Sequence, residues 1–239
     1  MFFYTSIAIV GNFNPAIFQP QWFDRFKILP AQDIQYVESR KPETHEFKLG
    51  GGSVFFTKNP ILSVSPSNAI LNFEGFKIES SRDRFICSTT TSDNISKIED
   101  VICKTFMMLS HTPIISVGFN FEGHYLFDKK SEILLNDLFG NQPKKFDSCF
   151  GSDYLVSGTI IYRDGETVTT VEIKPSNHTE GGIFFHTNIN FNLSDKSTDS
   201  CCSIIKDKFR GSREMSIKYL LDLFGKPAKI SYENEGINE

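Results

Sequence analysis

Five histidines (His45, His111, His124, His178 and His186) and five cysteines (Cys87, Cys103, Cys149, Cys201 and Cys202) are the residues of this chain best suited to catalysis or metal binding. Zinc takes three or four nitrogen, sulfur or carboxylate ligands, usually with one closely spaced pair among them. The sequence has no HxH, HExxH or CxxC spacing, so no metal site is expected. It also lacks the GxxxxGK[ST] and GxGxxG loops that cradle phosphates, and the GxSxG elbow that presents a serine nucleophile. No cofactor is expected. A thiol nucleophile needs a histidine beside it; Cys149, in "DSCFGSD", has the best neighbours, and its plainer reading is an exposed loop cysteine. His111, His178 and His186 are each followed by threonine. Two-histidine phosphoesterases place His and Thr two positions apart so that both share a strand face, whereas adjacent residues face opposite ways. No catalytic residue is assigned.

The histidines that bracket "HTPIISVGFNFEGHYLF" carry more promise. His111 follows a helix, where a cation interacts well with the C-terminal dipole. Asn120 and His124 are four residues apart and share one face of the expected strand. Together His111, Asn120 and His124 could line a polar spot beside a sheet. A second candidate binding segment is "GNFNPAIFQPQWFDRF", with Phe13, Asn14, Phe18, Trp22 and Phe23. Packing of these rings as a structural corner is favoured over an exposed interface, because exposed aromatic patches promote aggregation. Asn14, before Pro15, can fix the turn through its side chain.

These residues need elements to hold them. Residues 1–10 read as a strand, and "PQWFDRF" as one or two helical turns with Pro20 first. "HEFKLGGGSVFFTK", "ILSVSP", "AILNFEGFKIES" and "DRFICSTTT" form an antiparallel meander, with Gly50–Gly52 as a hairpin turn. Helical spacing of Ile95, Ile98, Ile102, Phe106 and Leu109 predicts a helix capped by Ser92 or Asp93 and stopped before Pro113. Its charged residues, Glu99 and Asp100 included, fall on a solvated face. "IISVGFNFEGHYLF" is then a strand and "SEILLNDLFG" a short helix ending at Gly140. Asp164-Gly165 marks a hairpin. In "GGIFFHTNINFNL", Phe185, Thr187, Ile189 and Phe191 share one face, and Phe184, His186, Asn188 and Asn190 the other. A closing helix from about Ser203 to Phe224 carries a stripe of Ile217, Leu220, Leu221 and Phe224, is weakened at Gly211, and ends at Gly225 and Pro227.

The predicted class is α+β: an antiparallel sheet with two long amphipathic helices on one face. Strands followed by a long helix occur twice, and "PSN" recurs 109 residues apart, at Pro66 and Pro175. Either a pseudo-twofold duplication or a chance match explains this. The expected layout is an N-terminal lobe over 1–127, a connecting helix and loop over 128–152, a C-terminal lobe over 153–230 and a disordered tail over 231–239.

The chain has 239 residues, a net charge of −4 and 24 phenylalanines. Its basic residues form no stripe, which argues against nucleic acid as the main ligand. The opening segment lacks a basic flank and no apolar run reaches membrane-spanning length. Five unpaired-looking cysteines fit a reducing compartment. A cytoplasmic protein without a membrane partner is expected.

Asn12, Phe13, Asn14, Pro15, Phe18, Pro20, Trp22 and Phe23, with His111, Thr112, Pro113, Gly118 and Asn120 mid-chain, are where the first half resembles a sporadically distributed family of uncharacterised bacterial proteins with FNPAIFxPxWF and HTP motifs. The resemblance implies no activity; its patchy distribution is like that of defence or toxin–antitoxin cargo. The leading expectation is a non-enzymatic accessory protein that contacts another protein, or a second copy of itself, through an aromatic surface or sheet edge. The alternatives are a small-ligand sensor with His124, Asn120 and Trp22 in a pocket between helices and sheet, and a hydrolase or nuclease with an assembled acid–His site.

Overall fold

The computed structural model describes residues 4–39, 44–49, 52–57, 61–140 and 155–231. In chain order its strands are β1 (Tyr4–Gly11), β2 (Thr44–Leu49), β3 (Gly52–Thr57), β4 (Leu62–Val64), β5 (Asn68–Asn72), β6 (Phe76–Ser81), β7 (Arg84–Thr89), β8 (Ile114–Leu126), β9 (Gly158–Asp164), β10 (Thr167–Pro175), β11 (Ile183–Asn192) and β12 (Lys229–Ser231). The helices are α1 (Pro20–Arg25), α2 (Ala31–Ser39), α3 (Ile95–Met108), α4 (Ser131–Phe139) and α5 (Thr198–Phe224). Ten strands make an antiparallel sheet, and β2 with β3 makes a separate hairpin. The class is α+β, as the sequence predicts. Gly50 and Gly51, Cys149 and the acidic tail from residue 232 lie outside the described residues.

Chain order and compact grouping do not coincide. One unit comprises residues 6–117 and 192–206; the other comprises residues 1–5, 118–191 and 207–239. The first unit holds β4, β5, β6, β7 and β1 in spatial order. Its core is aromatic. Phe85 lies 5.0 Å from Phe18 and 5.3 Å from Phe106, and Phe13 sits 5.7 Å from Phe106. α3 supplies Ile98, Val101, Ile102 and Phe106 to this core, all essentially buried. Its start corrects the expected cap. Ser92–Asn94 form a 3-10 turn, and the N-cap residue, Asn94, makes no side-chain cap. α2 is absent from the sequence reading, although Ile34 and Val37 at helical spacing, both buried, were its signal. The nearly buried carboxylate of Asp33 ties it to α3 through Lys97, at 2.9 Å.

The second unit holds β8, β11, β10 and β9 in spatial order, with β12 on β8. Alternation in β11 is as predicted: Ile183, Phe185, Thr187 and Ile189 are buried and the intervening side chains are half-exposed. The Asp164-Gly165 signal is the β9–β10 turn. Thr167 pairs with Asp164 across it, and Gly165 takes φ +56°, the left-handed region that glycine enters without steric cost. Phe209 of α5 covers this part of the sheet, 5.0 Å from Phe119 and 5.6 Å from Phe121.

α5 begins five residues before the predicted start, because Ser197 caps it by accepting the Ser200 N–H at 3.1 Å. Its buried positions are Thr198, Cys201, Cys202, Ile205, Phe209, Ser212, Ser216 and Leu220. Of the expected stripe only Leu220 is buried; Ile217 and Phe224 are half-exposed and Leu221 is 38% exposed, because the buried face runs through Phe209, Ser212 and Ser216. Gly211 does not interrupt the helix. The two "PSN" tripeptides do different local work. In the first, Ser65, before the proline, accepts two turn N–H groups; in the second, Ser176, after it, does so.

Candidate functional site

The aromatic corner resolves into packing. Asn14 Oδ1 accepts the Ala16 N–H at 3.2 Å, closing the expected turn ahead of α1. That turn directs Phe13, Phe18 and Phe23 inward, where all three are buried. Trp22 is half-buried, edge-on to Phe18 and Phe23. The two motifs of the first half meet here. The Asn12 N–H donates to the Pro113 carbonyl at 3.3 Å, and the Phe13 N–H donates to Arg82 O at 2.8 Å. A Cβ on Gly11 would sit 2.6 Å from Pro113 O, so only glycine permits this approach. "GNFNP" and "HTP" are therefore two sides of one joint. His111 is exposed in the turn after α3.

Asn120 and His124 do share a face of β8. It is the face opposite α5, since Phe119 and Phe121 take the helix side. Asn120 Oδ1 accepts from Asn188 Nδ2 at 2.7 Å and lies 3.3 Å from His186 Nε2. The His186 ring also stands between carboxylates, 3.8 Å from Glu172 and 4.0 Å from Glu122. Lys174 pairs with Glu172 at 2.9 Å and lies 4.7 Å from the centre of the Phe184 ring. Strand register builds this array: Glu172 is opposite His186, Lys174 opposite Phe184, and Thr170 opposite Asn188. Burial, with the charge of Glu172, raises the Glu122 pKa above the usual carboxylate value. Burial lowers that of His186, against the pull of Glu172. Of these residues, sequence reasoning named Asn120 and His124 as site residues; the others needed the register.

His124 forms a second node. Its Nδ1 lies 2.8 Å from Ser176 Oγ, and its ring centre 4.5 Å from that of His178. Burial first, then His178 and Lys174, bring its pKa down to about 4. A serine beside a histidine invites a nucleophile–base reading. The hydrogen bonds argue for a turn lock instead. Ser176 Oγ already accepts the N–H groups of His178 and Thr179, at 3.1 and 2.8 Å. A hydroxyl has two lone pairs and one hydrogen, so its O–H donates to His124 Nδ1. The serine is saturated, and an imidazole of that pKa is a weak base at neutral pH.

Another exposed feature of this unit is β9. It pairs with β10 along its whole length and ends the strand order. Ile160, Ile161 and Tyr162 are 42%, 60% and 58% exposed. Natural sheet edges are usually blunted by proline, charged side chains (lysine above all), bulges or shortness. The far edge strand, β4, is three residues long and soon followed by Pro66. β9 is seven residues without proline, and its charges, Arg163 and Asp164, stand only at its last two positions. Among the described residues, two grooves of about 440 and 480 Å³ lie elsewhere, one against Phe127, Leu138 and Phe224, the other against Leu29, Pro30 and Lys97. Neither includes a site residue predicted from sequence. No described helix is long and apolar enough to cross a membrane.

No family model and no curated protein matches the chain. Among solved structures, the di-domain ARO/CYC StfQ from the steffimycin biosynthetic pathway aligns over 92% of this chain and 97% of its own, at 7% identity and TM-score 0.19. A likeness that weak carries no argument.

Proposed function

We propose that this chain is a non-enzymatic interaction protein that binds a protein strand along the β9 edge. The observation that carries this reading is the edge itself: among the described residues no strand pairs the side of β9 away from β10, and Ile160, Ile161 and Tyr162 are exposed. Strand addition draws affinity from such main-chain groups and specificity from alternate side chains. Such an edge would hold the chain to another protein or to a second copy of itself. The test is native mass of the tagged chain purified from its own host, alongside an Ile161→Lys variant. The reading expects one polypeptide at fixed stoichiometry with the wild type, absent from the variant. A wild-type chain that is bare and monomeric, or a variant that keeps the same partner, overturns it.

A second reading has one observation in its favour. Glu122, His124 and His186 all depart from their ordinary titration on one half-buried face, a grouping common at functional sites. Small-ligand recognition there, on the open face and not beneath α5, predicts a copurifying small molecule that Asn120→Ala and His186→Ala each release. A ligand-free chain removes this reading.

A further inference from the structure

β9 reads "GTIIYRD" over Gly158–Asp164. We infer that its occupant is the same strand of a second copy, running antiparallel about a two-fold axis at Ile161. This inference rests on the β9 edge as the binding element and names its partner.

The argument is self-complementarity. Residues directly opposite in an antiparallel pair share a face and set the pair's stability. A two-fold axis at Ile161 uses all seven residues. Ile161 faces itself, Ile160 faces Tyr162, Thr159 faces Arg163, and Gly158 faces Asp164. Aliphatic and aromatic groups then meet each other, an arrangement that stabilises cross-strand pairs. Neither charged residue meets its own copy. Shifting the axis to Tyr162 sets Ile161 against Arg163 and Ile160 against Asp164. Shifting it to Ile160 leaves Arg163 and Asp164 outside the paired strand. The Ile161 register is the best match that the sequence offers to itself, and it creates an isologous interface that closes at two copies.

The register makes position 161 its own neighbour, and charge can read that directly. Sedimentation velocity of the full chain is compared with Ile161→Lys, Ile161→Glu and an equimolar mixture of the two. The side chain is 60% exposed, so neither substitution disturbs the fold, and circular dichroism checks this. The wild type is expected to sediment as a dimer. Each variant alone is expected to be monomeric, because like charges face each other across the axis. The mixture is expected to regain the dimer, with lysine opposite glutamate. A monomeric wild type, a variant that stays dimeric, or a mixture that stays monomeric overturns the inference. A monomeric wild type that still carries a different polypeptide from its host, lost in Ile161→Lys, overturns self-pairing while leaving the edge as the binding element.

Discussion

Gly11 and His124 show how single residues here are constrained by close approach and by charge. A methyl group at Gly11 meets the Pro113 carbonyl and the Phe13 ring, so Gly11→Ala is expected to cost about 1–3 kcal/mol by overpacking. Urea denaturation measures it, and an unchanged midpoint would refute the joint. His124 has a native pKa of about 4 against 6.5 for an ordinary histidine. Its folded pKa is depressed, so the neutral form belongs to the native state. The stabilisation is complete above about pH 6.5 and is lost as pH falls toward 4, by up to a few kcal/mol. Glu122, whose pKa is raised, contributes with the opposite sign, losing stability as pH rises through its own titration. Melting temperature against pH is therefore expected to fall more steeply between pH 6.5 and 4 for the wild type than for His124→Gln. Parallel curves would contradict the burial of a neutral imidazole. Ser176→Ala, which releases the turn N–H groups, should lower stability by about 1–2 kcal/mol without altering partner binding.

At the scale of elements, α5 gives the clearest test. Gly211 lies exposed within the helix, and a Cβ there meets nothing within 4 Å. Gly211→Ala is expected to stabilise the chain by about 0.5–1 kcal/mol, by reducing the freedom of the unfolded chain. A loss of stability would mean that the helix is interrupted there. Most elements were legible from period and punctuation: α3 from its apolar spacing, α4 from Gly140, the β9–β10 hairpin from Asp164-Gly165. The failures have physical causes. The start of α5 escapes the apolar pattern because its first residues bury Thr198, Cys201 and Cys202 rather than an aliphatic stripe. α2 was missed because its buried side holds a charged residue, Asp33, that only the distant Lys97 makes tolerable. The α3 cap was misplaced because Ser92 and Asp93 form a 3-10 turn instead.

For the molecule as a whole, alternation revealed which residues share a strand face but not which strands are neighbours. Asn120 and His124 could be placed together from sequence, while Glu122, His186, Glu172 and Asn188 joined them only through the β8–β11–β10 order and its register. The aromatic corner, named as a binding candidate, spends Phe13, Phe18 and Phe23 on its own core. Phe26 at its end is exposed, as are Met107, Met108 and Ile115 elsewhere, and three consecutive exposed apolar residues, Ile160, Ile161 and Tyr162, lie on β9, which the sequence marks as a strand but not as an edge. A protein-binding role therefore rests on β9 being occupied in the assembled state. Hydrogen exchange over residues 158–164, in the chain as isolated from its host and in Ile161→Lys, tests that most directly. The account predicts that the β9 amides facing away from β10 are protected in the wild type and exchange rapidly in the variant, while those bonded to β10 stay protected in both. Equally fast exchange of the outward-facing amides in both would mean that the edge stays bare, and would contradict it.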